Sequence, residues 1–272
     1  IARLLKDHPI LRSTGILVSG TGISHVVALV FQLIIRRIFE PGVFGSFAVY
    51  LSIFSILASV STLKYDMAMV LPRDDRDSRN LAALSFFINL CFTLLVGLVM
   101  IFIFNRVGSL FGLSDEHRHW LLWMPAAIFL FGNYSIMEHW LIRKNRYRGI
   151  SLNKIFRRTA EGGGQTLFGL MGQSLGLIWG NLAGLALNNI TGLRYIRQSG
   201  FHFDGIGRSG MKQVFVRYIN FPGYQGFPHL LNMLSLMLPV IIVNIIYTQE
   251  QTGWFDLTRQ VLALPLALIS TS

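Results

Sequence analysis

The stretch Tyr224–Tyr247, YQGFPHLLNMLSLMLPVIIVNIIY, decides the fold class. It is longer than the roughly 20 residues that a helix needs to cross a bilayer, yet it contains Pro228 and Pro239 and several polar residues. Proline inside a helix removes a backbone hydrogen bond and bends the helix, and in hydrocarbon the freed groups must be satisfied by a neighbouring helix or a wet cavity. The stretch therefore predicts a bent membrane helix that lines a cavity, which is typical of a polytopic transporter.

The composition places most of the chain in lipid. Of its 272 residues, 52% are hydrophobic and 14% are charged, whereas a soluble domain carries about 25% charged residues. At about 20 apolar residues per span plus short connections, this length accommodates roughly eight helices. The sequence thus predicts an all-α fold, a polytopic transmembrane helix bundle of about eight spans. Expected span ranges are 15–35, 43–62, 81–104, 120–142, 159–173, 175–195, 224–247 and 254–270.

The ends and the cysteine content set further bounds. The chain begins at Ile1 and stops at Ser272 within an apolar run, so we expect a fragment of a longer protein. The single cysteine, Cys91, excludes a disulfide framework and a cysteine metal site. We expect neither a cofactor nor a bound metal.

The net charge of +11 reflects topology rather than a nucleic-acid partner. Basic residues cluster between the apolar segments and do not follow one amphipathic face, as they would in a nucleic-acid-binding module. The lead and the loops after the even-numbered spans hold most of the 24 Lys and Arg residues. By the positive-inside rule, the amino terminus and these loops face the cytoplasm.

Polar residues on the first span are candidates for a cavity lining. His25 and Gln32 are seven positions apart and share a helix face. Polar groups at membrane depth are costly and face a cavity or a partner, so His25 either lines a path or packs against a neighbouring helix. Arg36 and Arg37 either anchor the chain at the interface or bind an anionic substrate.

The last two spans supply further candidates. His229 and Asn232 are expected to line the same path, and Asp256 and Arg259 are three apart, close enough to form an ion pair. If Arg259 instead faces a cavity, its guanidinium can bind a phosphate group in bidentate fashion. The hinge candidates in these spans are Pro228, Pro239 and Pro265.

Two other patterns concern packing within the first six spans. Gly172, Gly176, Gly180 and Gly184 recur every four residues, which predicts close contact between two helix backbones. Glu138 and His139, at the end of span four, are either interfacial or pair with the basic segment that follows.

No catalytic motif stands out. The sequence contains no Walker loop, no Gly-x-Ser-x-Gly elbow and no His-Glu-x-x-His motif, and the loops opposite the cytoplasm are short. The sequence therefore indicates that the protein is not an enzyme and that its function resides within the bundle.

Five segments together resemble the oligosaccharide flippases, or polysaccharide exporters, of bacterial envelope synthesis. These proteins belong to the multidrug, oligosaccharidyl-lipid and polysaccharide exporter superfamily. The resemblance covers essentially the whole chain, and no single motif carries it. The segments are LKYDMAMVLPRDD (63–75), LIRKNRYRGIS (141–151), GGGQTLFGLMGQSLGLIWGNLAG (162–184), FPGYQGFPHLLNMLSLMLPVIIV (221–243) and GWFDLTRQVLALPL (253–266).

The resemblance implies two six-helix bundles around a central, often cationic cavity. Residues 1–200 would form the first bundle, 201–223 a cytoplasmic linker, and 224–272 the first two helices of the second bundle. Positions matching the family pattern are implied to be mostly structural hinges and loop anchors; they are Tyr65, Asp66, Pro72, Arg143, Tyr147, Pro228, Asn232, Pro239, Arg259 and Pro265.

The implied activity is translocation of an undecaprenyl-pyrophosphate-linked oligosaccharide, an O-antigen or another envelope polysaccharide unit, across the bacterial cytoplasmic (inner) membrane by alternating access. Arg36, Arg37 and Arg259 would offer charge to the pyrophosphate. The implied partners are this lipid-linked oligosaccharide, membrane lipid, and a polysaccharide polymerase and glycosyltransferases of the same biosynthesis.

Three alternatives stay open. A cation-coupled multidrug antiporter of the same superfamily would need a buried acidic cluster in the first bundle, where only Glu138 and Glu161 are available near helix ends. A membrane glycan polymerase would need a large outer catalytic loop. A peptidoglycan-precursor flippase would carry additional helices at its end.

Overall fold

The computed structural model describes the backbone of residues 9–270 and the side chains of residues 20–262. The regular elements in that range are helices, which confirms the all-α prediction. They are α1 (Pro9–Ile35), α2 (Pro41–Val60), α3 (Tyr65–Ala68), α4 (Asp75–Leu110), α5 (Asp115–Arg118), a 3-10 turn (His119–Trp123), α6 (Met124–Arg143), α7 (Tyr147–Leu170), α8 (Gly176–Gln198), α9 (Arg208–Arg217), a π-helical turn (Pro222–Gly226), α10 (Phe227–Ile246) and α11 (Gln249–Ser270).

Eight long helices correspond to the eight expected spans. Within the described part of the chain, four segments are long and apolar enough to cross a membrane by length and composition: 41–60, 75–110, 115–143 and 222–246. The part of α1 with described side chains, Gly20–Ile35, is apolar but shorter, whereas α7 and α8 carry more polar residues. The chain is therefore a multi-pass helical membrane protein.

Packing places α7 and α8 at the centre of the first six long helices. These two helices form a hairpin, with α1 against α7 and α6 against α8, and α4 packs on α6. On the other side, α2 contacts both α10 and α11. A large apolar core joins α2, α6 and α8, in which Tyr50, Met124 and Leu185 are fully buried. This arrangement leaves α1, α2, α7 and α11 facing a common space.

The predicted glycine register is confirmed as a close-packing surface. A Cβ atom placed on Gly180 would lie 2.5 Å from the backbone nitrogen of Gln165, and one on Gly184 would lie 2.8 Å from Cβ of Glu161. Gly172 has a positive φ of 73° in the turn between the helices, where an L side chain would be strained. Because Gly176, Gly180 and Gly184 carry no side chain, α7 and α8 lie close enough to form polar contacts with each other.

The expected boundary of the fifth span, 159–173, is wrong. Helix α7 begins at Tyr147 and ends at Leu170, so the basic segment expected as a loop forms its first half. Neighbouring helices satisfy its polar side chains: Lys154 pairs with Glu138 at 3.0 Å, and Asn153 donates to the Asn188 carbonyl at 3.1 Å. The Lys154 contact also confirms that Glu138 pairs with the basic segment.

Buried polar contacts fasten the short helix α3 to α6. The Asp66 carboxylate, 1% exposed, accepts hydrogen bonds from Thr62 Oγ1 at 2.7 Å and Ser135 Oγ at 2.5 Å and lies 3.3 Å from His139 Nδ1. Burial alone would raise the pKa of Asp66, but the bonds from His139, Ser135 and Thr62 hold it well below its ordinary value. Asp66 therefore stays ionised and joins α6 to the end of α2.

Arg143 anchors the loop between α3 and α4, as the resemblance implied. Its guanidinium donates to the carbonyls of Met69 at 3.3 Å and Pro72 at 2.5 Å and to the Asp75 carboxylate at 3.0 Å. A planar guanidinium can make several such bonds at once. This contact ties the start of α4 to the end of α6.

The prolines of the seventh span produce a local change of helix type. Pro222 and Pro228 flank a π-helical turn, in which the Phe227 N–H donates to the Pro222 carbonyl. Pro228 has no N–H and cannot donate the usual α-helical hydrogen bond to the carbonyl four residues before it. A π-helical turn, which is wider than an α-helical turn, accommodates the missing bond. Pro239 lies inside α10. The Pro265 side chain lies outside the described residues.

Candidate functional site

Helices α1, α2, α7 and α11 enclose a cavity of about 330 Å³. Its apolar lining includes Phe31, Phe47 and Leu51. Ionisable and amide side chains within a membrane bundle are costly and mark pathways or internal pairs, so this mixed lining is the candidate site. The polar lining residues are His25, Gln32, Arg158, Glu161, Gln165 and Gln260.

Glu161 holds the centre of the charged lining. Its side chain is buried, and each carboxylate oxygen has a donor: Arg158 Nη1 lies 3.0 Å from Oε2, and Asn181 Nδ2 lies 3.0 Å from Oε1. Asn181 reaches Glu161 across the glycine-lined contact between α7 and α8. The carboxylate is thus fully engaged within the bundle.

Positive charge exceeds negative charge around Glu161. Arg157 precedes Arg158 on α7, lies over the Phe131 ring at 6.0 Å, and has a buried Nε without a hydrogen-bond partner among the described residues. Arg158 uses Nη1 for Glu161, while 40% of its side chain stays exposed. Two guanidinium groups thus lie near one carboxylate, but only Arg158 lines the cavity, because Arg157 is turned toward Phe131.

Helix α11 brings a second ion pair near the cavity. Arg259 Nη2 lies 3.0 Å from Asp256 Oδ1, which confirms the expected pairing of these residues. Arg259 Nη1 also donates to the Leu236 carbonyl on α10 at 3.0 Å. The guanidinium therefore joins the last two helices, and its role as a substrate cation stays a prediction. The next residue, Gln260, lines the cavity.

The two arginines after α1 occupy different surroundings. Arg36 lies over the Phe44 ring at 4.6 Å, and its Nε and Nη2 are buried without a hydrogen-bond partner in the described part of the chain. Burial lowers the pKa of Arg36, and the Asp256 carboxylate partly offsets this effect. Arg37 is exposed. Neither arginine is among the residues that line the cavity, so their expected contact with an anionic substrate stays a prediction.

The structure brings together only part of the expected lining. His25 and Gln32 lie in the same cavity, as their spacing on one helix face predicted. His229, half-buried, and Asn232, exposed, lie on α10 and are not among the lining residues of this cavity. Their expected role along a path stays a prediction.

Sequence analysis missed the charged wall on α7. Arg158 was expected in a loop, and Glu161 and Gln165 were not selected as lining residues. The signal was available in their spacing, because Lys154, Arg157 or Arg158, Glu161 and Gln165 recur every three or four positions, as on one face of a helix. Among the described residues, no group of three or more His, Cys, Asp or Glu side chains could hold a metal ion.

Comparisons with known proteins add a family and a fold. A family model described as polysaccharide biosynthesis protein matches residues 10–272. No curated protein matches the chain. Two solved structures are similar to it. An outward-facing multidrug resistance MATE family transporter of the MOP superfamily has a TM-score of 0.64 and 13% identity, over 99% of this chain and 63% of the transporter.

The second structure is that of the MATE multidrug transporter DinF-BH, solved as a complex. Its TM-score is 0.60 at 13% identity, over 93% of this chain and 60% of that protein. This chain therefore spans about three-fifths of either transporter, and at this level of identity the similarity concerns the fold alone.

Proposed function

The chain belongs to the family of polysaccharide biosynthesis proteins, and from that premise we propose that it is part of a flippase for a lipid-linked oligosaccharide. The substrate is an undecaprenyl-pyrophosphate-linked glycan, such as an O-antigen or another envelope polysaccharide unit. The protein moves this substrate across the bacterial cytoplasmic membrane, with its amino terminus in the cytoplasm. It performs no covalent step, and polymerase and glycosyltransferases act before or after it.

The partly exposed guanidinium of Arg158 in the cavity lining is the observation that carries this proposal. Glu161 engages one nitrogen of Arg158, and the exposed part of that guanidinium remains available to a ligand. A guanidinium binds phosphate oxygens through paired, charge-assisted hydrogen bonds. Arg157, the preceding residue on α7, adds a second positive charge near Glu161, although it does not line the cavity. The negative charge of a pyrophosphate group bound in the cavity would therefore be compensated by arginine, whereas lipid tails supply no positive charge.

The neutral polar lining suits the sugar part of the substrate. Gln32 Oε1 is buried without a partner among the described residues. Gln165 and Gln260 also line the cavity. Each already donates one hydrogen bond within the protein, to the Leu177 carbonyl and to the Asp256 carboxylate respectively, so that the amide oxygen and the second N–H remain. Sugar hydroxyl groups both donate and accept hydrogen bonds, so amide side chains can bind them without adding charge. The apolar residues between these amides contact the hydrocarbon faces of sugar rings.

The contact between α2 and α11 supports movement by alternating access. Gly45 on α2 lies against the backbone of Gln249, and Gly253 on α11 lies against the backbone of Pro41, so closely that a Cβ atom at either glycine would overlap the facing carbonyl oxygen. Two bundles that meet through bare backbone can separate without disrupting interlocked side chains. Transporters of this kind rock one bundle against the other around a central site.

Translocation in vesicles tests the proposal. The full-length protein is reconstituted with a fluorescent lipid-linked oligosaccharide, and the fraction reaching the opposite leaflet is measured over time. Arg158→Gln should slow translocation at least about tenfold, which corresponds to about 1.4 kcal/mol of lost interaction. The matched control is Arg148→Gln, which neutralises an exposed arginine in the first turn of the same helix, outside the cavity.

The outcomes separate the function from the site. If the wild-type protein does not translocate the lipid-linked glycan, the proposed function is wrong. If it does, and Arg158→Gln translocates as fast as Arg148→Gln, the function stands and the cavity assignment is wrong. Arg259→Ala, measured in the same vesicles, tests whether the second arginine contributes to substrate binding beyond its bond to Asp256.

Buried carboxylates favour a second candidate, a cation-coupled multidrug antiporter. Glu161 and Asp256 are both buried, and carboxylates of this kind can couple proton or sodium movement to transport. Both oxygens of Glu161 are already engaged by Arg158 and Asn181, which favours the flippase. Efflux of a lipophilic cationic dye driven by a proton or sodium gradient in these vesicles, without glycan translocation, would support the antiporter instead.

A further inference from the structure

Helix α9 is held across the polar start of α4. Val214 of α9 is buried, and Arg217 of α9 pairs with Asp77 of α4 at 2.5 Å. Asn80 on α4 contacts the segment just before α9: it donates to the Gly205 carbonyl at 3.2 Å and accepts from the Gly207 N–H at 3.2 Å. These contacts fix the helix against the outside of the bundle, away from the cavity.

A groove lies between α9 and α4, with a volume of about 420 Å³. Two cations on α9, Arg208 and Lys212, lie one helical turn apart along it. Both are exposed, and neither forms an ion pair or hydrogen bond with another described residue. The apolar lining of the groove is Leu84, Phe87, Met211 and Phe215.

An exposed apolar face of α4 continues from this groove along the helix. It runs from Phe87, 50% exposed, through Cys91, Leu94 and Leu98 to Phe102, 77% exposed. These positions recur every three or four residues and therefore form one stripe. The stripe lies on the most hydropathic of the four candidate membrane spans. Two unpaired cations thus lie at the end of an apolar track about as long as an acyl chain.

We propose that the groove between α9 and α4 binds the headgroup of an anionic glycerophospholipid. Arg208 and Lys212 contact the phosphate and the anionic headgroup, and the acyl chains follow the α4 stripe. Amphipathic helices with basic residues bind anionic lipid surfaces in this way, through combined charge attraction and apolar burial. The site takes a lipid of the surrounding bilayer and is separate from the proposed substrate cavity between α1, α2, α7 and α11.

The position of Cys91 allows a direct test. It is the only cysteine of this sequence and lies one helical turn beyond Phe87 on the exposed face of α4. The full-length protein, with any cysteine outside this sequence replaced by serine, carries a bimane fluorophore at Cys91 and is reconstituted in phosphatidylcholine vesicles. These vesicles contain equal mole fractions of brominated lipid with either a phosphatidylglycerol or a phosphatidylcholine headgroup. Bromine quenches the fluorophore at short range, so quenching reports which lipid lies beside α4.

Brominated phosphatidylglycerol should quench at least about twofold more strongly than brominated phosphatidylcholine, because each basic residue at the surface attracts anionic lipid. The double variant Arg208→Gln, Lys212→Gln should remove this preference. Since neither side chain has a partner among the described residues, the fold should be kept, which elution as a single species in detergent checks. The matched control Arg146→Gln, Arg148→Gln removes the same charge from exposed positions at the turn between α6 and α7.

Equal quenching by the two lipids in the wild-type protein would overturn the proposal. An equal loss of preference in the control and the double variant would also overturn it, because the preference would then come from overall charge rather than from the groove. High salt should weaken the preference of the wild-type protein, since exposed charges are screened over about 10 Å at 0.1 M salt.

Discussion

Helix α4 is apolar and largely exposed, whereas helix α7 is charged and packed between two other helices. Helix α4 contains a long uncharged run, and only 22% of its most apolar window is buried. Helix α7 carries Lys154, Arg157, Arg158 and Glu161, yet it lies between α1 and α8 in the middle of the first six long helices. In a water-soluble protein the apolar helix would be central and the charged one peripheral.

This difference is explained by lipid, rather than water, surrounding the bundle. Lipid tails solvate an apolar helix as well as a protein core does, so nothing forces α4 inward. Charged groups have no such partner in hydrocarbon and must face one another or a wet cavity. The polar residues Asn153, Glu161 and Gln165 of α7 are therefore buried against neighbouring helices, and the cavity lies beside this face.

The largest expected effect comes from breaking the charge pairing on α7. Glu161→Ala would leave the Asn181 amide and the Arg158 guanidinium without their acceptor. Removing one partner of a fully buried ion pair costs roughly 3–5 kcal/mol, and we expect the lower end of this range because 40% of the Arg158 side chain is exposed. Unfolding by SDS in mixed micelles measures this free energy. Glu116→Ala, at an exposed position, is the control. Similar stability of the two variants would show that the buried network does not stabilise α7.

A charge on α4 tests the other side of the comparison. Leu98 is exposed on the apolar stripe, and an arginine near the centre of a span costs about 2.5–3.5 kcal/mol on insertion. We expect Leu98→Arg to lower the amount of membrane-inserted protein in fractionated cells. Unchanged insertion would mean that this face of α4 contacts water or another protein surface.

Close packing between α7 and α8 should give a smaller effect. Gly180→Ala places a Cβ atom against the backbone of Gln165, and overpacking of this kind costs roughly 1–3 kcal/mol. Gly163→Ala is the matched control, because no atom lies within 4 Å of its added Cβ and alanine favours the helix by about 0.5–1 kcal/mol. The two variants should therefore shift the SDS unfolding midpoint in opposite directions.

The smallest effect is expected from Leu98→Ala. Because the side chain at this position contacts lipid in both the folded and the unfolded inserted states, its truncation should change the SDS unfolding free energy by less than about 0.5 kcal/mol. A loss of about 2 kcal/mol or more, as in a buried Leu→Ala substitution, would place Leu98 in a packed interface and contradict the proposed assignment of α4 to lipid.

Hydropathy was enough to locate most of the long helices. The first span ends at Ile35 as expected, and α2, α6, α8 and α10 differ from their expected ranges by a few residues. Helix α4, Asp75–Leu110, extends beyond the expected 81–104 at both ends. The largest difference is at α7, because a window of mean hydropathy cannot distinguish a polar loop from a polar helix that its neighbours shield. The spacing of His25 and Gln32 correctly predicted that both residues line a cavity. Arg158 and Glu161, which line it from α7, were not predicted, because Arg158 was expected in a loop and Glu161 at a helix end.

The sequence by itself determined that this chain is an all-helical membrane protein, because apolar length and the distribution of charge depend only on composition along the chain. The glycine spacing also determined that two helices would pack closely. Only the tertiary structure decided which polar residues meet. The contact of Glu161 with Asn181, and the position of His25 and Gln32 in the same cavity as Arg158, depend on how the helices pack around one another, and local sequence does not specify that arrangement.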